Sequence, residues 1–151
     1  MTGDQPSDII LAEDDFDDVY IFELALKKIP FYAVLRHAAD GDKLFVELQK
    51  LVPDFLFLDI DLPCKKGTTC LAEIRRDKRY DNMPVIMLTS FASKEFVETS
   101  YRSGANFFIG KVSSITDLAG KLKQVFAFNW KQNMIYPTID QFVISRSPPG
   151  E

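Results

Sequence analysis

The chain has 151 residues, 46% of them hydrophobic, and this length fits one domain that buries about 70% of its unfolded surface. The formal net charge of −4 argues against a sequence-independent nucleic-acid surface, and the basic pairs Lys65-Lys66 and Arg75-Arg76 are typical of solvated helix and loop ends. No apolar stretch approaches the roughly 20 residues of a membrane span, and no secretory leader pattern begins the chain, so we expect a cytoplasmic protein.

The N-terminal half alternates between strand and helix patterns. The apolar run 9–12 predicts a first strand, and apolar residues at helical spacing before Pro30 predict a helix after it. The run 33–35 predicts a second strand. The turn at Asp40-Gly41 then leads into a second helix with leucines on one face.

The C-terminal half continues this alternation. The run 55–58 predicts a third strand, and Gly67 opens a third helix. The run 85–88 predicts a fourth strand, followed by a short helix and a fifth strand over 105–109. Alternating units of this kind predict an α/β fold around a parallel sheet.

A last helix follows, with a hydroxyl cap at Ser113, Ser114 or Thr116. We expect this helix to be unusually aromatic, with Phe126, Phe128 and Trp130, and to be followed by Tyr136. Two interpretations stay open: an interface, either a homodimer face or a docking surface, or packing within the chain. The residues that we assign to the interface are Phe126, Trp130 and Tyr136.

We predict one domain over residues 1–132, with its core over about 7–130, and a tail over 133–151 that is not a separate domain. The tail holds too many apolar residues for a solvated segment, namely Ile135, Tyr136, Ile139, Phe142, Val143 and Ile144. We expect it to cover part of the domain or a neighbouring subunit, and to end loosely at 147–150.

Cysteine and histidine offer little chemistry in this sequence. Cys64 and Cys70 lack the further ligands of a zinc site, so we interpret both as free structural thiols. His37, the single histidine, has no context typical of a phosphorylated histidine, and we interpret it as structural.

Four of the predicted strands end in polar residues suited to holding a phosphoryl group. Asp14-Asp15 follow the first strand, Asp59 follows the third, Thr89 ends the fourth, and Lys111 comes just after the fifth. In open α/β sheets, functional residues gather at the carboxyl ends of the strands. We therefore expect these side chains to meet at one edge of the sheet.

The residue types fit phosphoryl transfer with a divalent cation. Asp14, Asp15 and Asp59 supply hard oxygen ligands for Mg²⁺, and three carboxylates without a cation would repel one another. Asp59 can serve as the nucleophile that forms an aspartyl-phosphate, while Lys111 neutralises charge and Thr89 donates a hydrogen bond. Taken singly, each of these residues is more simply explained as a turn, cap, packing or solvated residue. Their occurrence together, in this order and each at a strand end, favours a functional site.

On these residues the chain resembles the receiver domains of two-component response regulators over about residues 7–130. The resemblance covers the acidic pair, Asp59 within Leu58–Pro63, Gly67, Thr89 and Lys111. It implies a flavodoxin-like (βα)5 fold, a doubly wound parallel sheet with strand order 2-1-3-4-5, here with an extended C-terminal helix and tail.

The resemblance also implies a mechanism. Asp59 would accept a phosphoryl group from a phosphohistidine on a sensor histidine kinase or histidine phosphotransfer protein, with Mg²⁺, or Mn²⁺, bound by the three aspartates and the backbone carbonyl of Asp61. Thr89 and Phe108 would form the switch. Asp61 and Phe91 would gate the water that hydrolyses the aspartyl-phosphate.

The output implied is a contact with a downstream protein, since the chain after Lys111 has no room for a helix-turn-helix module. The sequence departs from the family at Val112, where Pro is usual, and at Phe108, whose ring lacks a hydroxyl. Neither departure removes a reacting group, and the protein is not expected to be an enzyme beyond its own phosphorylation and dephosphorylation.

Two alternatives remain at this point. The run 55–61 also resembles the nucleophile motif of haloacid-dehalogenase-type phosphohydrolases, although Leu62-Pro63 and the early position of the acidic pair do not fit. The other alternative is a receiver-like interaction module that is never phosphorylated.

Overall fold

The computed structural model describes residues 5–112 and 114–145. Its five strands form one parallel sheet in the order β2-β1-β3-β4-β5. The strands are β1 (Ser7–Ala12), β2 (Ala33–Ala38), β3 (Phe55–Leu58), β4 (Val85–Thr89) and β5 (Phe107–Gly110). This order confirms the predicted flavodoxin-like fold, with a longer second strand and a later start for the fifth.

Helices connect the strands and cover both faces of the sheet. They are α1 (Phe16–Lys27), α2 (Gly41–Lys50), α3 (Gly67–Arg76), α4 (Lys94–Arg102), α5 (Ile115–Phe126) and the short α6 (Ile139–Phe142), with a 3₁₀ turn at Lys78–Tyr80. Ser114 caps α5, because its hydroxyl accepts the Asp117 N–H at 3.1 Å. Ser113 lies outside the described residues. In the described part of the chain, no helix combines the length and apolarity needed to cross a bilayer.

The sheet divides the core into two layers because successive side chains of a strand point to opposite faces. Ile10, Leu56 and Met87 pack with α2 and α3 on one face. Ile9 and Phe57 pack with α1 and α5 on the other. The strands β3 and β4 are buried on both faces, which explains why their sequences are continuous apolar runs, whereas the edge strand β2 is only partly buried.

The helix α5 ends at Phe126, so Phe128 and Trp130 lie beyond it. The prediction that these two residues belong to the last helix is therefore wrong. Residues two apart do not share a helix face. By leaving the helix, the chain packs Trp130 against Phe55 and Phe107 at ring-centroid distances of 5.7 and 6.0 Å.

The tail folds back onto the domain. This agrees with the expectation that it covers part of its own domain. Phe142 and Ile144 are buried, and the Ile144 N–H donates to the Phe108 carbonyl at 2.9 Å. The end at 147–150 lies outside the described residues.

Arg75 is not the solvated residue that the sequence suggests. Its guanidinium donates to the carbonyls of Tyr80, Met83 and Gly104 and to the side-chain oxygen of Asn106, at 2.7 to 3.0 Å. It thereby joins the end of α3 to the chain before β4 and β5, whereas Arg76 is exposed as expected.

Candidate functional site

Lys111 lies at the centre of the candidate site, just after β5. Its ammonium is 3.0 Å from Asp59, 2.6 Å from Glu13 and 3.0 Å from Asp18, measured from Nζ to the nearest carboxylate oxygen. Burial works to lower the pKa of Lys111, but hydrogen bonds to these carboxylates outweigh it and raise the pKa above its ordinary value. The ammonium is therefore a fixed positive charge that donates hydrogen bonds to Asp59 and Asp18 and forms an ion pair with Glu13.

Three carboxylates, two of which pair with this ammonium, form a compact acidic group. Glu13, Asp14 and Asp59 each offer an oxygen, and these oxygens lie within 4.8 Å of one another. Burial raises the pKa of Glu13 to about 7, the Lys111 hydrogen bond opposes that rise, and the charge of Asp59 adds to it. Carboxylate oxygens at this spacing fit a hard divalent cation, which would relieve their repulsion.

Asp15, which the sequence analysis placed among the metal ligands, is not in this group. Its carboxylate caps α1 by accepting the N–H groups of Asp17 and Asp18 at 2.8 and 3.3 Å. The acidic pair that the structure brings to Asp59 is Glu13 and Asp14.

The backbone explains this one-residue correction. Glu13 continues the β1 ladder, its N–H donating to the Ala38 carbonyl at 3.0 Å, so its side chain is held at the strand end. Its own carbonyl accepts a hydrogen bond from His37 Nε2 at 2.6 Å, a structural contact for that histidine. The sequence did contain a signal, because an Asp directly before a helical pattern is a preferred N-cap.

Thr89 and Lys111 are tied together through the backbone at the ends of β4 and β5. The Thr89 carbonyl accepts the Lys111 N–H at 2.9 Å, and the buried Thr89 hydroxyl accepts the Phe91 N–H at 3.2 Å. Accepting that bond leaves the hydroxyl proton available for donation.

Asp61 lies on the rim of the site. Its N–H donates to Asp59 Oδ1 at 3.3 Å, while its exposed side chain pairs with Lys66 at 2.7 Å. Asp61 and Lys66 line a pocket of about 290 Å³ together with Phe91 and Phe96. The predicted role of the Asp61 carbonyl stays a prediction.

Gly67 allows the helix α3 to begin against the backbone of Asp59. A Cβ at Gly67 would lie 2.0 Å from the Asp59 carbonyl oxygen, closer than any real contact. The Gly67 N–H donates to the Ile60 carbonyl at 2.8 Å, which closes the loop after β3. The absence of a side chain at residue 67 thus allows α3 to begin this close to Asp59.

The other predicted residues lie away from these carboxylates. Phe108 is fully buried in β5, and its ring centroid is 6.1 Å from that of Phe142. Phe126 stacks on Phe31 at 3.9 Å, and Trp130 joins the same aromatic layer. Tyr136 is 56% exposed.

The chain matches known proteins over most of its length. The family model for the response regulator receiver domain matches residues 9–123. Response regulator Rcp1 of Synechocystis sp. is 27% identical over 139 residues, which cover 87% of this chain and 94% of Rcp1. Chemotaxis protein CheY-3 of Vibrio cholerae is 30% identical over 118 residues, which cover 78% of this chain and 90% of CheY-3.

Solved structures give the same result. Mn²⁺-bound Rcp1 aligns at a TM-score of 0.73 and 27% identity, over 88% of this chain and all of that one. The phosphorylated cyanobacterial phytochrome response regulator RcpA aligns at 0.75 and 26% identity, over 89% of this chain. The chain belongs to the response regulator receiver domain family of two-component signal transduction.

Proposed function

We propose that this receiver domain takes a phosphoryl group from a phosphohistidine onto Asp59 with a divalent cation, and that it signals through a protein contact. The donor would be a sensor histidine kinase or a histidine phosphotransfer protein. The observation that carries the proposal is the 3.0 Å contact between Lys111 and Asp59 within an acidic group in which Glu13 and Asp59 are buried and Asp14 is exposed.

Glu13, Asp14 and Asp59 would hold the cation, with the backbone carbonyl of Asp61 as a further ligand. Mg²⁺ is the expected ion and Mn²⁺ a substitute; the crystal structure of the relative Rcp1 contains Mn²⁺. When bound, the cation supplies positive charge next to the phosphoryl oxygens. The spacing of the oxygens fits this assignment.

The transfer itself needs little beyond position and charge. A carboxylate oxygen of Asp59 attacks the phosphorus, the bond from phosphorus to the donor imidazole breaks, and its electrons stay with that imidazole nitrogen. Lys111 exchanges its bond to Asp59 for one to a phosphoryl oxygen. The Thr89 hydroxyl, whose proton is not used by Phe91, donates to another phosphoryl oxygen.

The switch follows from the Thr89 contact. Drawing Thr89 toward the phosphoryl group opens space that the Phe108 ring can enter. The helix α4 and the strand β5 then shift, which changes the surface that they share with α5. A cytoplasmic location, a homodimer and the domain boundary at residue 132 stay predictions.

Intact-mass spectrometry after incubation with a small phosphodonor and Mg²⁺ tests the proposal. We expect the mass of one phosphoryl group to appear, and to be absent from the Asp59→Asn variant and from samples with a chelator. If no mass appears on the wild-type chain, the receiver-like interaction module becomes the better description.

The same incubation addresses the phosphohydrolase alternative, which the family assignment already disfavours. A receiver hydrolyses only its own aspartyl-phosphate, so released phosphate should not exceed the amount that passes through Asp59. Sustained hydrolysis of a phosphate ester would contradict the proposal.

A further inference from the structure

The C-terminal segment, residues 133–145, pairs with the free edge of the sheet. β5 is the last strand in the sheet order, and Val143 forms an isolated parallel bridge with Phe108. The Ile144 N–H donates to the Phe108 carbonyl at 2.9 Å. The segment therefore contacts the same residue that the proposed switch uses.

Phe142 anchors the segment between α4 and β5. Its side chain is fully buried, with ring centroids 5.1 Å from Tyr101 on α4 and 6.1 Å from Phe108 on β5. The Tyr101 hydroxyl donates to the Pro137 carbonyl at 3.0 Å. One aromatic residue of the segment thus packs against both elements expected to shift.

Asn106 connects the start of the segment to the centre of the domain. Its buried amide donates to the Ile135 carbonyl at 2.7 Å. Its oxygen accepts hydrogen bonds from the Val85 N–H and from Arg75, at 2.8 and 2.9 Å. We call the surface formed by Tyr101, Asn106 and Phe108 the α4–β5 face.

We propose that the α4–β5 face is an interaction surface whose occupant in the unphosphorylated protein is its own C-terminal segment, and that phosphorylation of Asp59 releases this segment. The inference rests on the proposed function. Phe108 is the shared element: if its ring moves toward Thr89, it moves away from Phe142. Because binding free energies are reciprocal, release of the segment also favours the phosphorylated state.

Hydrogen exchange on the whole chain tests the release. With beryllofluoride and Mg²⁺, which mimic the aspartyl-phosphate, we expect the amide of Ile144 to exchange about tenfold faster, within the ordinary range of allosteric coupling. The Asp59→Asn variant under the same additions should show no change. Unchanged or slower exchange in the wild-type chain would overturn the proposal.

A pair of variants on α6 tests the reciprocal effect. Phe142→Ala removes the buried anchor, whereas Ile139→Ala changes a residue on the same helix that is 44% exposed. At a limiting phosphodonor concentration, we expect Phe142→Ala to reach a severalfold higher phosphorylated fraction than Ile139→Ala. Equal phosphorylated fractions would contradict the coupling between release of the segment and phosphorylation of Asp59. If either variant fails to fold, the hydrogen-exchange experiment on the wild-type chain still tests the proposal.

Intact mass, measured on the wild-type chain with a small phosphodonor, separates the two proposals. If Asp59 gains the phosphoryl mass and the exchange of residues 133–145 does not change, the release is wrong and the proposed function stands. If no mass is gained, both are wrong.

Discussion

Glu13 and Asp15 are neighbouring carboxylates with different tasks. Glu13→Gln removes a charged candidate ligand, so we expect Mg²⁺ affinity to fall severalfold in isothermal titration calorimetry. Asp15→Ala removes the cap of α1, so we expect the free energy of unfolding in urea to fall by about 1 kcal/mol, with Mg²⁺ affinity nearly unchanged. The reverse pattern would restore the assignment of Asp15 as a ligand.

Asp61 is on the rim of the site, and its side chain has no direct contact with Lys111 in the structure described. We expect Asp61→Ala to change the rate of dephosphorylation more than the rate of phosphorylation, because Asp61 lines the pocket through which we expect the attacking water to enter. Asp77→Ala, which breaks an exposed ion pair elsewhere, is the matched control. Both rates are measured by mass spectrometry at successive times. Equal effects on the two rates would refute a role of Asp61 in gating water.

The two cysteines should differ in reactivity. Both are free, but Cys64 is exposed, whereas burial raises the pKa of the Cys70 thiol to about 11. A raised pKa means less thiolate at neutral pH, and the thiolate is the reactive form. We expect iodoacetamide at neutral pH to alkylate Cys64 and to spare Cys70 in the native state, as read by peptide mass. Alkylation of both at similar rates would contradict the buried position of Cys70.

Arg75 and Arg76 offer a matched pair of tests at the level of the elements. Arg75→Met removes four buried hydrogen bonds and leaves the Met83 and Gly104 carbonyls without the guanidinium donor, so we expect a loss of about 3 kcal/mol in unfolding free energy. Arg76→Met, on the exposed side of α3, should change it by less than about 0.5 kcal/mol. Similar urea midpoints for the two variants would show that the buried network contributes little.

Strands β3 and β4 were predictable from the sequence because each is a continuous apolar run, and strands buried on both faces require such runs. The edge strand β2 was predicted only over residues 33–35, because Arg36 and His37 interrupt its apolar run. Asp59, Thr89 and Lys111 were predictable because they follow those runs directly. Glu13 was missed because the adjacent Asp14-Asp15 pair offered an equally acidic pattern one residue later. The backbone places Asp15 at the N-cap of α1, where its carboxylate accepts helix N–H groups.

The end of α5 and the path of the tail were not predictable in this way. Phe126, Phe128 and Trp130 could extend a helix or fold under one, and composition does not distinguish the two. The contacts that decide it, such as Trp130 with Phe55, join residues far apart in the sequence. The sequence left two interpretations of the aromatic residues open, an interface and packing within the chain. Phe126 and Trp130 pack within the chain.

At the scale of the whole molecule, Trp130 closes the aromatic layer between the sheet and the chain after α5. Its ring contacts Phe55, Phe107 and Phe128, and its Nε1 donates to the Val125 carbonyl at 2.8 Å. We expect Trp130→Ala to lower the unfolding free energy by about 2 kcal/mol, since the ring is only partly buried.

Sedimentation velocity of the Trp130→Ala variant distinguishes packing within the chain from a homodimer interface. Because the Trp130 ring faces its own chain, we expect the folded variant to sediment like the wild-type protein. A shift toward a smaller species would instead support the homodimer, and Tyr136→Ala, at the exposed candidate, would then be the variant to compare.

The close approach at Gly67 has a consequence for how mutations in this protein should be interpreted. Alanine at residue 67 would collide with the Asp59 carbonyl oxygen and displace the proposed nucleophile, although Gly67 has no side chain that could take part in the transfer. In a random-mutagenesis screen for loss of phosphorylation, substitutions at Gly67 should therefore be recovered alongside those at Asp59 itself. Such variants would lose phosphorylation because Asp59 is displaced, while every reacting side chain is still present.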